Sequence, residues 1–172
     1  MDTQDRITIE ADDESGARKE TGKTVRMLSF RLGAENYCIN ITDAKEVFSP
    51  NLITRIPNTP AFIAGVTNLH GAVIPLIDIR GFLGIGRKEG LAGAKAIVTN
   101  IGTDVVGIMV DEVDSALDIK EADIQPPLAT IKGKMAEFVR GQVGVGTEIF
   151  VLLELDKILG CEEITRLRKG ES

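Results

Sequence analysis

The sequence predicts a mainly β fold in which two small units, each a barrel or a curled sheet, share one core. Its 172 residues include 18 glycines but only six prolines, a balance that favours tight turns between short strands. Aromatic residues make up 4% of the chain and hydrophobic residues 43%, so the core must consist mainly of Ile, Val and Leu. The third observation is that two strand-rich blocks each occur twice along the chain.

The first repeated block is a strand, a glycine turn and a second strand. It occupies residues 28–41 and again residues 97–110, and Gly33 and Gly102 fall at the same place in the two copies. Polar residues surround both glycines, which is typical of a β-hairpin turn. Each copy is therefore predicted to form a hairpin.

The second repeated block extends from Phe62 to Gly84 and again from Phe138 to Gly160, at a constant offset of 76 residues. Phe-Ile-Ala-Gly matches Phe-Val-Arg-Gly, and Ile-Pro-Leu-Ile-Asp-Ile matches Phe-Val-Leu-Leu-Glu-Leu, without a gap. Chance similarity between apolar strands is the alternative, but the gapless match favours duplication. Units of about 60 residues are marginally stable alone, so the two are expected to pack on each other.

The chain is expected to have three regions, an N-terminal tail, a domain of two barrels at 25–160 and a C-terminal segment. The first barrel is expected at about 25–85 and the second at about 94–160, and the duplication allows an exchange of strands between them. Residues 1–24 are polar and acidic and are expected to form a disordered tail, because they offer little apolar surface to bury. Residues 161–172 are expected to form a short helix or a tail.

A helix is predicted over Thr42–Phe48, just after the first hairpin. Ala44, Val47 and Phe48 have the spacing of one helical face. Asp43 followed three residues later by Glu46 resembles a capping box. Residues 79–84 and 155–160 are each expected to form one helical turn.

Charge and hydropathy exclude several classes of function. The net charge is −6 and no basic cluster is present, which argues against binding to nucleic acid through phosphates. No apolar run approaches the roughly 20 residues of a membrane span, and the N-terminus has no secretory signal pattern. We therefore expect a soluble, cytoplasmic protein without direct membrane insertion.

Residues capable of catalysis or metal binding are few. His70 is the only histidine and lies before a glycine, and no Gly-x-Ser-x-Gly motif is present. Cys38 and Cys161 are expected to be reduced thiols, without Cys-x-x-Cys spacing for zinc. The carboxylates of residues 111–114 could bind a cation, but a solvated strand end is the preferred interpretation. No catalytic residue, metal or cofactor is predicted.

Several segments carry specific motifs. They are Phe30-Arg-Leu-Gly33, Glu46-Val47, Ile53-Thr-Arg-Ile-Pro57, Pro60-Ala-Phe-Ile-Ala-Gly-Val-Thr-Asn-Leu-His-Gly71, Val73-Ile-Pro-Leu-Ile-Asp-Ile-Arg80 and Val106-Gly-Ile-Met-Val-Asp111. These segments resemble the CheW family of chemotaxis coupling proteins. The resemblance extends from about Val25 to Leu159, and the Gly-Val-x-Asn-Leu-x-Gly and Ile-Pro-x-x-Asp-x-Arg series is its most specific part.

The resemblance implies both a fold and a function. The fold is two SH3-like five-stranded β-barrels with a few short helices. The function is that of a non-catalytic adaptor, which couples methyl-accepting chemoreceptors to the histidine kinase CheA. The implied partners are the regulatory domain of CheA and the cytoplasmic tips of the receptors, with recruitment to receptor arrays. No cofactor is implied, and the free protein is expected to be a monomer. A different receptor–kinase pathway, in motility or development, is the alternative.

The resemblance also implies partner-binding residues, each with a structural alternative. The residues are Glu46, Val47, Gly65, Asn68, His70 and Gly71. The two glycines could instead be needed only for backbone conformation, and Glu46 could cap a helix. His70 stands where the family usually has Arg, so a permanent charge and a forked donor are lost. The imidazole is expected at an exposed strand end, with a buried, hydrogen-bonded position as the alternative.

Overall fold

The computed structural model describes residues 22–86, 93–131 and 133–168. Within these ranges the chain forms ten β-strands in two five-stranded sheets, with short helices between them. This confirms the predicted mainly β class. The strands are β1 (Thr24–Leu32), β2 (Glu35–Asn40), β3 (Glu46–Phe48), β4 (Ile63–Leu69), β5 (Ala72–Asp78), β6 (Lys95–Ile101), β7 (Asp104–Val110), β8 (Glu112–Lys120), β9 (Val139–Val145) and β10 (Glu148–Leu153). The helices are α1 (Lys134–Phe138), α2 (Leu155–Leu159) and α3 (Glu162–Arg168), and 3-10 turns cover Ile41–Asp43, Arg80–Leu83 and Glu121–Asp123.

Each sheet takes strands from both repeats. The strand order is β9-β10-β2-β1-β8 in sheet 1 and β4-β5-β7-β6-β3 in sheet 2. Each repeat thus gives its leading hairpin to one sheet and its last three strands to the other. The boundary between the two repeats, at residues 85–94, is therefore not a boundary between the two sheets.

The two leading hairpins have matching turns, as predicted from the first repeated block. Leu32 pairs with Glu35 across one turn, and Ile101 pairs with Asp104 across the other, so each loop has two residues. The glycine that opens each loop has a positive φ, 63° at Gly33 and 62° at Gly102. Glycine adopts this conformation without steric cost, which explains its recurrence in both copies.

The glycine of the repeated Phe-x-x-Gly motif has a different role, because another segment lies directly over it. A Cβ atom built on Gly65 would lie 2.6 Å from the carbonyl oxygen of Thr54. A Cβ atom on Gly141 would lie 2.2 Å from the carbonyl oxygen of Gln125. The covering segments bond to β4 and β9 by isolated bridges, Thr54 with Val66 and Gln125 with Gln142. Both glycines are therefore required for a close approach of backbone to backbone.

The helix predicted over Thr42–Phe48 is wrong. Ile41–Asp43 form a single 3-10 turn, in which the side chain of Asn40 accepts a hydrogen bond from the Thr42 amide. The backbone then extends, and the Lys45 amide donates to the carbonyl of Val98 at 2.7 Å. Pairing with β6 is possible only for an extended chain, so tertiary hydrogen bonds override the helical spacing of the side chains. The single turns predicted at 79–84 and 155–160 are present.

The largest buried cluster contains side chains from both repeats. Ile39 and Ile77 of the first repeat pack in one cluster with Ile108 and Leu153 of the second. The helix α3, in the segment expected to be a helix or a tail, buries Ile164 against the same cluster. A shared core therefore stabilises both sheets together, as expected for units of this size.

The acidic N-terminal segment can be tested by truncation. Residues 1–21 lie outside the described residues, and β1 begins at Thr24, one residue earlier than the predicted boundary at Val25. Because residues 1–21 offer little apolar surface to bury, we expect their deletion to change the free energy of unfolding by no more than about 0.5 kcal/mol. Thermal and urea denaturation will measure this change.

A longer deletion provides the control for this truncation. Removing residues 1–27 also removes the pairing of Thr24–Met27 with Leu117–Lys120 and the buried Met27 side chain. This variant should be strongly destabilised. Strong destabilisation by the shorter deletion would contradict the tail interpretation.

Candidate functional site

The predicted partner-binding residues Glu46 and His70 meet at one end of sheet 2. Glu46 lies on β3, at one edge of the sheet, and His70 lies in the turn between β4 and β5, at the other edge. The sheet curls so far that His70 Nε2 is 3.0 Å from Glu46 Oε2 and 3.2 Å from Oε1. The sequence separates the two residues by 24 positions, and only barrel curvature brings them together.

The turn that carries His70 is a two-residue hairpin loop, His70-Gly71, closed by the pair Leu69 and Ala72. Both loop residues have a positive φ, 53° and 88°, which is the pattern of a type I′ turn. The Asn68 side chain accepts a hydrogen bond from the Gly71 amide at 3.1 Å and holds the loop. Asn68 and Gly71 thus position His70.

Solvent exposure distinguishes the two interpretations of His70. Its side chain is 73% exposed and that of Glu46 is 40% exposed, so the buried alternative for His70 is wrong. An exposed side-chain contact of this kind contributes at most about 1 kcal/mol to stability. Glu46 lies in a strand and not at the start of a helix, so its alternative role as a helix cap is also excluded.

An open groove of about 410 Å³ lies beside this pair. Leu52 and Val73 line it, and they are 73% and 70% exposed. Large apolar side chains left in water beside a few polar groups are typical of protein-binding surfaces. We call the surface formed by Glu46, Leu52, Asn68, His70, Gly71 and Val73 the hairpin face.

Val47, which is 41% exposed, follows Glu46 on β3 and so points to the other side of the strand. Gly65 also does not reach the hairpin face. It is buried under residues 53 and 54, and its φ of 148° is accessible to few residues other than glycine. A role of Gly65 in partner binding stays a prediction, and this geometry would allow it only through the position of the covering segment.

Sequence reasoning missed Leu52 and Val73. Val73 begins the run Val-Ile-Pro-Leu-Ile, in which an exposed apolar residue looks like its buried neighbours. Ile149 lies 76 positions after Val73, at the same place in the equivalent hairpin β9–β10, and the structure leaves it 65% exposed as well. Two equivalent strands therefore carry an exposed apolar residue, one on each sheet.

Of the carboxylates of residues 111–114, Glu112 and Asp114 are exposed, as predicted for a solvated strand end, whereas Asp111 is not. Asp111 forms an ion pair with the buried guanidinium of Arg80, and its second oxygen accepts a hydrogen bond from the Gly33 amide at 2.7 Å. Glu112 and Asp114 lie 3.6 and 3.7 Å from the exposed Arg31. The sequence could not indicate the role of Asp111, because Arg80 is 31 residues away and comes from another strand connection.

The reactive groups in the described ranges also include two cysteine thiols. Cys38 and Cys161 are free thiols, and burial raises the pKa of the Cys38 thiol to about 12, which suppresses the nucleophilic thiolate. Within residues 22–86, 93–131 and 133–168, no His, Cys, Asp and Glu side chains gather in a set that could hold a metal ion. The described geometry favours a binding surface.

Comparison with known proteins agrees with this geometry. The profile of the CheW-like domain family matches residues 26–163. The chain belongs to the CheW family. The chemotaxis protein CheW of Klebsiella aerogenes is 36% identical over 85% of this chain and 89% of its own length. CheW of Rhizobium meliloti is 32% identical over 87% of this chain and 96% of its own length.

The fold of a solved CheW structure also matches. The structure of the scaffolding protein TtCheW from Thermoanaerobacter tengcongensis has a TM-score of 0.70 at 30% identity, and the match covers 82% of this chain and 96% of that chain. Protein FrzA of Myxococcus xanthus is 35% identical over 57% of this chain. Among the described residues of this CheW family member, no helix has the length and apolar character needed to cross a bilayer.

Proposed function

We propose that this protein is a non-catalytic adaptor of chemotaxis signalling, which couples chemoreceptors to the histidine kinase CheA. The observation that carries the proposal is the hairpin face, where exposed apolar side chains surround an accessible Glu46–His70 pair in a CheW fold. A surface of this kind binds protein partners without transforming them. The adaptor acts by holding receptor and kinase in one assembly, so that receptor state biases kinase activity.

The proposed partners are the regulatory domain of CheA and the cytoplasmic tip of a methyl-accepting receptor. Two features of the chain suit an adaptor that must hold two partners together. The hairpin face lies on sheet 2, and the exposed Ile149 occupies the equivalent hairpin of sheet 1. The chain thus offers one apolar strand end on each barrel, and binding at both would recruit it to receptor arrays.

A related pathway is the second candidate. FrzA, a relative from Myxococcus xanthus, has a name that does not refer to chemotaxis. His70 in place of the arginine usual in the family further suggests a distinct receptor or kinase set. Pull-down of the kinase that binds this chain, followed by its identification, would distinguish the two candidates.

Changing either residue of the Glu46–His70 pair should weaken partner binding without affecting the fold. Glu46→Gln removes the carboxylate, His70→Asn removes the imidazole, and Asn tolerates the positive φ of residue 70. We expect each variant to reduce affinity for a CheA regulatory domain or a receptor tip about tenfold, or about 1.4 kcal/mol. Stability should change by no more than about 0.5 kcal/mol, because both side chains are exposed. Calorimetric titration and urea denaturation measure the two effects.

Two further variants complete this experiment. Glu112→Gln removes an exposed charge from β8 of sheet 1, whereas the hairpin face lies on sheet 2, and it should leave the affinity unchanged. His70→Arg adds a permanent charge and a forked donor, and it should raise the affinity for a partner that presents a carboxylate. Unchanged affinity of all pair variants for both partners would exclude the hairpin face as the docking surface.

A further inference from the structure

The two halves of the chain depend on each other for their strand pairing. We define the N-half as residues 22–86 and the C-half as residues 93–168. Among the described strands, four of the eight neighbouring pairs lie within one half, and the other four join the N-half to the C-half. The joining pairs are β1 with β8, β2 with β10, β3 with β6 and β5 with β7.

The joining pairs are reciprocal. In sheet 1, β2 of the N-half runs parallel to β10 of the C-half, with Cys38 opposite Leu152. In sheet 2, β5 of the N-half runs parallel to β7 of the C-half, with Leu76 opposite Gly107. Each half therefore supplies the same kind of hairpin to the other, so each half is the natural binding partner of its complement.

The buried clusters also depend on both halves of the chain. Leu152 and Cys38 lie in one buried cluster with Met27, whereas Leu76 lies in another with Ala96 and Met109. Each of these clusters thus combines side chains of both halves. A separated half would expose these surfaces and four unpaired strand edges to water, which is costly.

Only one covalent connection, from Gly86 to Gly93, joins the halves. We infer that a second copy of this chain can supply the complementary half, so that two chains form a reciprocally exchanged dimer. The dimer retains all eight strand pairs and both buried clusters, because no pair requires its two strands to belong to one chain. Exchange of identical elements is a low-cost route to dimers.

Chain concentration should control the population of this dimer. Only six residues separate Gly86 from Gly93 in the sequence, so the two halves of one chain stay at a high effective concentration, of about millimolar order. Folding in dilute solution should therefore give monomers, in agreement with the state expected for the free protein. Folding in concentrated solution should give exchanged dimers, whose mass is twice that of the monomer.

The test uses the full chain with a protease site inserted between Gly86 and Gly93. Isotope-labelled and unlabelled chains are mixed, unfolded and refolded in concentrated solution, and the dimer is isolated by size-exclusion chromatography. Cleavage should convert it into monomer-sized units in which a labelled half is bound to an unlabelled half, as detected by native mass spectrometry. Cleaved mixtures of separately folded monomers are the control and should contain no hybrid units. Absence of a dimer, or a dimer that yields only uniformly labelled units, would overturn the inference.

A second measurement does not depend on refolding in vitro. Gly65→Val damages the N-half and Gly141→Val damages the C-half, because each added side chain meets a backbone carbonyl. Each variant expressed alone should be largely insoluble. Coexpression should restore soluble protein, since the intact N-half of one chain can pair with the intact C-half of the other. Coexpression that yields no more soluble protein than the separate expressions would contradict the exchange.

Discussion

Gly65→Val is expected to destabilise the protein by at least about 3 kcal/mol, which is a large part of the about 5–15 kcal/mol that holds a typical domain together. Two effects add. The new Cβ would lie 2.6 Å from the Thr54 carbonyl oxygen, and a β-branched residue is strained at a φ of 148°. The covering segment cannot easily withdraw, because Thr54 and Val66 exchange two backbone hydrogen bonds of 2.8 and 2.9 Å. Urea denaturation monitored by circular dichroism measures the loss.

Two other glycines allow the effect of the positive φ to be measured separately from the effect of the steric clash. Gly71 has a positive φ but open space around the Cβ position, so Gly71→Ala should cost only about 1 kcal/mol. Gly81 has neither a positive φ nor a neighbour within 4 Å, so Gly81→Ala should be nearly neutral. If Gly65→Val were tolerated with full stability while partner binding weakened, a direct partner role would replace the steric explanation.

Arg80→Met is expected to cost about 3–5 kcal/mol, as is usual when one partner of a buried ion pair is removed. The Arg80 side chain is 3% exposed and forms an ion pair with Asp111, while its Nη1 lies 3.8 Å from Asp78 Oδ1. Asp111 also accepts a hydrogen bond from the Gly33 amide. The cluster of Asp78, Arg80 and Asp111 therefore links β5, the β7–β8 connection and the β1–β2 turn. The substitution would leave two carboxylates, 14% and 19% exposed, without their shared cation.

An exposed ion pair is the matched control for Arg80. Arg166 lies 2.7 Å from Glu162 in α3, and the two side chains are 50% and 76% exposed. Arg166→Met should change stability by no more than about 0.5 kcal/mol. Arg80→Lys keeps the charge but loses the planar fork, so an intermediate loss is expected. Equal losses for Arg80→Met and Arg166→Met in urea denaturation would show that burial of Arg80 contributes nothing.

Local patterns predicted those features whose causes lie within a few neighbouring residues. The hairpin turns at Gly33 and Gly102 and the single helical turns after β5 and β10 are decided by short-range sterics and hydrogen bonds. The helix predicted over Thr42–Phe48 does not form, because the conformation of this segment is decided by contacts with residues far along the chain. Its side-chain spacing was helical, but the decisive hydrogen bonds go to Val98 and its neighbours on β6, far along the chain.

In the candidate site, too, local motifs predicted some features and distant contacts decided the others. The motifs around Glu46 and His70 identified residues of the hairpin face, but their contact at 3.0 Å depends on the curvature of sheet 2. The exposure of Leu52 and Val73 could not be predicted, because an apolar residue in a strand is buried or exposed according to what the rest of the chain places over it. The burial of Gly65 under Thr54 is decided in the same way.

The sequence by itself determined that the chain is a duplicated, strand-rich adaptor of the CheW family, because repeats, turns and motifs are local and survive in the order of the residues. Only the tertiary structure decided that each repeat divides its strands between two sheets, that Arg80 binds Asp111, and that Glu46 faces His70. These contacts join residues that lie far apart along the chain. Their formation depends on the packing and strand pairing of the whole domain, which no local pattern encodes.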